Sequence, residues 1–155
     1  TSLDAARAIP TWRSEEELFA LLLTLREKTE ETCYLQTRSE PDDVLKLAEQ
    51  GHIEQFMDDE LALRHQLSYP PFSTLIHLTL SGKAAAVSKL EAAVASDLHR
   101  WNPTFYHAPT TTRSKTTRYS LIRVPTRDWP NAKLIAALRA LPPHVRIEIN
   151  PDRIV

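Results

Sequence analysis

The residues best placed to do chemistry form one run, Arg113-Ser-Lys115-Thr-Thr-Arg118-Tyr119-Ser-Leu-Ile-Arg123-Val-Pro-Thr-Arg127. It holds five cations and no acid over 15 residues, interleaved with hydroxyls and one aromatic. Forked or mobile cations with small hydroxyl donors are what phosphate contacts need, and an aromatic ring can stack on an unpaired base. The pattern therefore points to a polyanion, with Arg113, Lys115, Arg118, Tyr119 and Arg123 as the contact set. A second reading stays open, in which the run is a solvated hairpin edge whose lysine and arginines block edge-to-edge pairing. If all five cations met phosphates, log K would fall with log salt at a slope of roughly −3.5 to −4.5. Arg127 is expected just before a helix N-terminus, where free amides also favour an anion.

Other chemistries find no residues. Gly51 and Gly82 are the only glycines, so neither a P-loop nor a dinucleotide-binding turn can be written. Cys33 is alone, which excludes an internal disulfide and a cysteine zinc site and fits a reducing compartment. The six histidines, at 52, 65, 77, 99, 107 and 144, lack metal-ligand spacing. No nucleophile–base pair stands out. The chain is thus expected to carry no metal and no cofactor of its own. No apolar run approaches the ~20 residues of a membrane span, and no basic stretch leads into an apolar core as in a signal peptide. A cytoplasmic protein without a membrane partner is expected.

The elements that must position the basic run change character at Tyr69-Pro70-Pro71-Phe72. Residues 1–69 hold 7 Lys/Arg against 15 Asp/Glu, a net of −8, whereas residues 70–155 hold 12 against 5, a net of +7. Two domains are read from this, 1–69 and 70–155. The first is helical. Ser14 and Glu17 form a capping box ahead of Leu18, Leu21, Leu22 and Leu25, giving a helix to about residue 31. Cys33–Thr37 is a short strand candidate. Pro41-Asp42-Asp43 opens a second helix that Gly51 closes. A third runs from about Ile53 to Ser68, with Phe56, Met57, Leu61 and Leu67 turned inward and a Glu60–Arg64 pair worth only ~0.3–0.5 kcal/mol if exposed. The prolines end it.

Beyond the prolines the period becomes two, from Phe72 to Ser81. An amphipathic helix follows from Lys83 to Trp101, then strands at 104–107 and 116–124. A helix opens at Asp128-Trp129-Pro130, and a last strand holds Val145, Ile147 and Ile149. The order β-α-β-β-α-β predicts a ferredoxin-like split α+β fold, a four-stranded antiparallel sheet with both helices on one face and the other face free for a partner.

The seam carries a further pattern. Phe56…Glu60-Leu61…Arg64…Tyr69-Pro70-Pro71-Phe72 resembles the stretch joining helicase core to C-terminal domain in the primosomal replication-restart helicases, the primosomal protein N′ (PriA) family. Arg13…Phe19, Leu35-Gln36-Thr37 and Ile147-Glu148-Ile149-Asn150-Pro151 are similar to flanking landmarks. The resemblance implies that 1–69 is a remnant of the second helicase lobe, that Glu60, Arg64, Tyr69, Pro70, Pro71 and Phe72 form a structural hinge, and that 70–155 docks branched or single-stranded DNA. It also implies contact with single-stranded DNA-binding protein, whose acidic tail would meet Arg127, and with other primosome proteins.

One landmark departs from the family. Where the family carries the Gln-Val-Ala-Gly-Arg-Ala-Gly-Arg run of helicase motif VI, this chain has Thr24 to Glu31 with no glycine. Lys28 falls near the first arginine and Glu31 near the second, and a glutamate there would repel a γ-phosphate. ATP hydrolysis is not expected of this chain, which reads as the C-terminal piece of a larger protein acting by docking. The alternative from the residues alone is a non-catalytic ferredoxin-like interaction or regulatory module that binds a protein or small molecule.

Overall fold

The structure, a computed structural model, describes residues 11–37, 43–107 and 116–154. The chain divides into two compact units, Thr1–Gln66 and Leu67–Val155.

In the first unit α1 spans Ser14–Lys28, α2 Asp43–Gln50 and α3 Ile53–Leu67. Ser14 is the first helical residue rather than the cap. Arg13 takes the cap position without a side-chain cap bond, so the expected capping box does not form. Instead Arg13 pairs with Glu16, Nη2 to Oε1 at 2.9 Å. Gly51 closes α2 as expected, at φ +76°, and the backbone explains why. Gly51 N–H donates to Ala48 O and His52 N–H to Leu47 O, the paired bonds of a helix stop that needs a left-handed residue. Cys33–Leu35 is not a strand; only Gln36 has a bridge partner.

The core of this unit is Leu18, Phe19, Leu22, Leu47, Ala48 and Phe56. Phe19 and Phe56 stack at 3.9 Å. Met57 and Leu67, expected inside, are exposed. Burial on α3 follows the four-residue spacing Phe56–Glu60–Arg64 instead, so the inner stripe is polar at its centre.

The second unit is a four-stranded antiparallel sheet in the order β2-β3-β1-β4. β1 is Ser73–Gly82, β2 Thr104–His107, β3 Thr116–Pro125 and β4 Val145–Ile149. Helix α4, Ala84–Asp97, follows β1, and α5, Ala132–Ala140, precedes β4. The last helix starts later than residues 128–130 suggest: 126–128 form a short 3-10 turn, and Asn131 caps α5 by accepting from Leu134 N at 3.0 Å. The Pro70–Pro71 and Trp129–Pro130 bonds are cis.

Strand alternation decides the faces. Ile76, Leu78, Leu80, Ile122, Val124 and Val145 share one core cluster with Val87, Val94 and Leu98 at α4 and Leu134 and Leu138 of α5. The opposite face carries Leu75, His77, Thr79, Tyr106, Tyr119, Arg123, Arg146 and Glu148, as the register requires. That face is not left bare, contrary to expectation. After β4 the chain turns at Asn150, φ +48°, which is bonded twice to Leu75: its N–H donates to Leu75 O at 2.8 Å and its side-chain oxygen accepts from Leu75 N at 2.8 Å. Further along, Ile154 O accepts a hydrogen bond from Tyr106 Oη at the β2 edge. Residues 150–154 thus lead from the β1–β4 ladder to Tyr106 on the second face.

Candidate nucleic-acid interface

The basic run does not form one surface. Its residues from Thr116 onward lie on β3, where neighbours in sequence point to opposite faces. Arg118 stands opposite Leu80 on the helix-covered face. Its Nε lies 3.3 Å from Glu91 Oε2 on α4, and the guanidinium also meets His107. Tyr119 and Arg123 point the other way. Arg113 and Lys115 lie outside the described residues.

Tyr119 joins a ring cluster on the second face, 5.1 Å from His77 and 5.5 Å from Tyr106 between centroids, with His77 and Tyr106 6.2 Å apart. Burial pushes the Tyr106 hydroxyl up to about 12, with Tyr119 adding to it. His77 is only 4 % exposed. Burial holds it below its ordinary imidazole value, outweighing the opposing pull of Glu148. Glu148 Oε2 is 3.7 Å from His77 Nδ1, too far for a hydrogen bond. Neither ring nitrogen has a hydrogen-bond partner among the described residues.

Arg123 is exposed, and its guanidinium sits 5.6 Å over the Tyr69 ring. The seam residues around Tyr69 are fastened to the end of β3. Tyr69 O accepts from Phe72 N at 3.0 Å, Phe72 O accepts from Thr126 N at 3.0 Å, and Thr126 Oγ1 donates to Pro71 O at 2.5 Å. Beside them Arg100, Trp101, Asn102, Arg123, Asp128 and Asn131 border a pocket of about 380 Å³. Arg127 stands on the 3-10 turn, its side chain 86 % exposed and 3.8 Å from Asp128 Oδ2. Pairing at that exposure is weak.

The remaining seam residues, Glu60 and Arg64, belong to the first unit and form an enclosed pair. Glu60 is 8 % exposed. Arg64 Nε donates to Glu60 Oε1 at 2.7 Å and its Nη2 to Glu16 Oε2 at 2.6 Å. The Trp12 ring lies 4.9 Å from the Arg64 guanidinium. The Arg13 hydrogen bond, against burial and with help from Arg64, holds the Glu16 carboxyl below its usual range.

Sequence reasoning missed His77, Tyr106 and Arg100. For His77 part of the signal was present: alternation sets it on the face of β1 opposite Ile76 and Leu78, and the register of β1 with β3 then brings it near Tyr119. Tyr106 depended on the β2–β3 register, which a loop of unspecified path does not reveal. No group of three or more potential metal ligands occurs among the described residues, and no described helix is long and apolar enough to cross a membrane.

The chain is 31 % identical over 85 residues to replication restart protein PriA of Borreliella burgdorferi, a match covering 52 % of this chain and 13 % of that protein. The chain thus spans only a small part of the relative it matches. No family model matches it. The match is one of partial sequence similarity, confined to about half of this chain.

Proposed function

We propose that this chain is a non-catalytic DNA-docking piece of a PriA-like replication-restart protein. On this reading the second unit is a ferredoxin-like domain, matching the order β2-β3-β1-β4 with α4 and α5 packed on one face. It binds branched or single-stranded DNA through Arg113, Lys115, Tyr119 and Arg123. The observation that carries this is the exposed Arg123 guanidinium, held over Tyr69 on the same sheet face as Tyr119, in a chain that resembles PriA. Arg118 belongs to the fold, tied to Glu91.

Arg127 is the docking point for the acidic tail of single-stranded DNA-binding protein. It is exposed, and its sequence neighbour Asp128 lines a pocket together with Arg100 and Arg123. The first unit is the closing portion of the second helicase lobe, and the chain acts in the cytoplasm with other primosome proteins.

Fluorescence titration of forked DNA at two salt concentrations tests the docking. Wild type should bind with a steep salt dependence, and a variant with Arg113, Lys115 and Arg123 all reversed to Glu should lose most of it. Equal binding by the two proteins would sink the proposal.

A further inference from the structure

The second face of the sheet is built unlike a solvated face. Register places Glu148, His77, Leu121 and Thr104 in one row across the four strands, and Arg146, Thr79, Tyr119 and Tyr106 in the next. Three rings of this set lie within 6.2 Å of one another. His77 is nine-tenths buried among them with both nitrogens unpartnered by the described residues. An orphaned buried polar group costs free energy and calls for an explanation.

The end of the chain supplies one. Asn150 is anchored beside Leu75 and Ile154 beside Tyr106. Four residues extend at most about 14 Å, and the backbone bends at Asp152, so the link between these anchors stays close to the second face. We propose that the second face is a base-stacking subsite for single-stranded nucleic acid, and that residues 151–154 are a displaceable strap over it. This rests on the nucleic-acid reading above and names what that reading leaves open: which part of the ligand the sheet contacts, and what controls access.

The chemistry follows from the residues. Tyr119 and Tyr106, on adjacent strands, offer π-faces to successive bases, which stack regardless of sequence. His77 has a donor and an acceptor free to meet the polar edge of a splayed base. Arg123, on the same face, meets the backbone phosphate. When no strand is bound, the Tyr106 hydroxyl holds Ile154 O and the strap stays close to the second face. A bound base exchanges that bond for stacking and gives His77 a partner, so strap and strand exclude each other.

The test uses the whole chain and two labelled probes of about twelve nucleotides, within the site sizes of single-strand binders. One is oligothymidylate; the other is an abasic strand with the same number of phosphates. Wild type should prefer the thymidylate by at least about 5-fold. Tyr119→Leu, which keeps apolar volume and removes the stacking face, should abolish that preference. Tyr106→Phe keeps the ring and removes the strap bond, so it should strengthen thymidylate binding by about 2- to 10-fold and leave the abasic strand unchanged.

If wild type and Tyr106→Phe each bind the two probes equally, the subsite is overturned, whether or not Tyr119→Leu folds. Forked DNA titrated alongside separates the two proposals. Salt-dependent fork binding without base preference ends the subsite and leaves phosphate docking standing. A base preference without fork binding supports the subsite and ends the docking of branched DNA.

Discussion

Arg118 Nε lies 3.3 Å from Glu91 Oε2, across the helix-covered face of the sheet from Tyr119, its neighbour in sequence. A cation that the sequence groups with Tyr119 and Arg123 is thereby partly neutralised and set on the other face of the sheet from them. Adjacent residues of one strand therefore take separate jobs, one inside the fold and one on the opposite face.

Arg118→Ala should change affinity for forked DNA by no more than about 2-fold and lower stability by about 0.2–1 kcal/mol, the range of partly exposed pairs. Arg123→Ala should leave stability nearly unchanged, weaken DNA binding and reduce the salt slope by about 0.7–0.9. Parallel denaturant melts and titrations measure both. Equal losses of affinity would show that strand parity does not sort these cations.

Arg64→Met should be costly. It leaves the Glu60 and Glu16 carboxylates without the cation between them, and breaking such a pair by removing one partner costs about 3–5 kcal/mol. The cost should shrink in acid. The folded value of Glu16 lies below its ordinary 4.5, so its contribution is present above pH 4.5 and lost as pH falls through the folded value. Urea unfolding of wild type and variant at pH 7 and at pH 3 checks the direction.

Tyr106 should mark the alkaline limit of the second unit. Its folded value is raised to about 12, so its contribution is full below pH 10 and declines as pH rises toward 12. Phenolate absorbance titrated with base should show a component near 12 that Tyr106→Phe lacks.

His77 should act at the other end. Burial lowers its folded value, so the unfolded chain takes up the proton first and stability falls as pH drops below 6.5. The slope is at most about 1.4 kcal/mol per pH unit. Glu148 and Arg146 on β4 face it, with Tyr106 and Tyr119 across the sheet. Thermal melts between pH 7 and pH 5 should show a loss in wild type that is reduced in His77→Gln.

Much of the architecture was legible because it rests on local rules. Period two from Phe72 to Ser81, Gly51 at a helix stop, the double proline and the split of charge at Tyr69 are written in neighbouring residues. Element starts were less so. Asp128-Trp129-Pro130 has the look of a helix opening, yet Asn131 caps α5, because a side-chain acceptor three residues before Leu134 competes successfully for the helix start.

By itself the sequence determined which residue types lie together along the chain, the element order from β1 to β4, and by parity which residues of each strand share a face. Those follow from backbone geometry, which each segment carries with it. Only the tertiary structure decided that Glu91 meets Arg118, that Arg64 lies between Glu16 and Glu60, and that Ile154 reaches Tyr106. The Glu91–Arg118, Glu16–Arg64 and Tyr106–Ile154 contacts join residues 27, 48 and 48 positions apart. No periodicity encodes such pairings; they arise when helices and strands bury their apolar faces and so bring distant polar groups within reach.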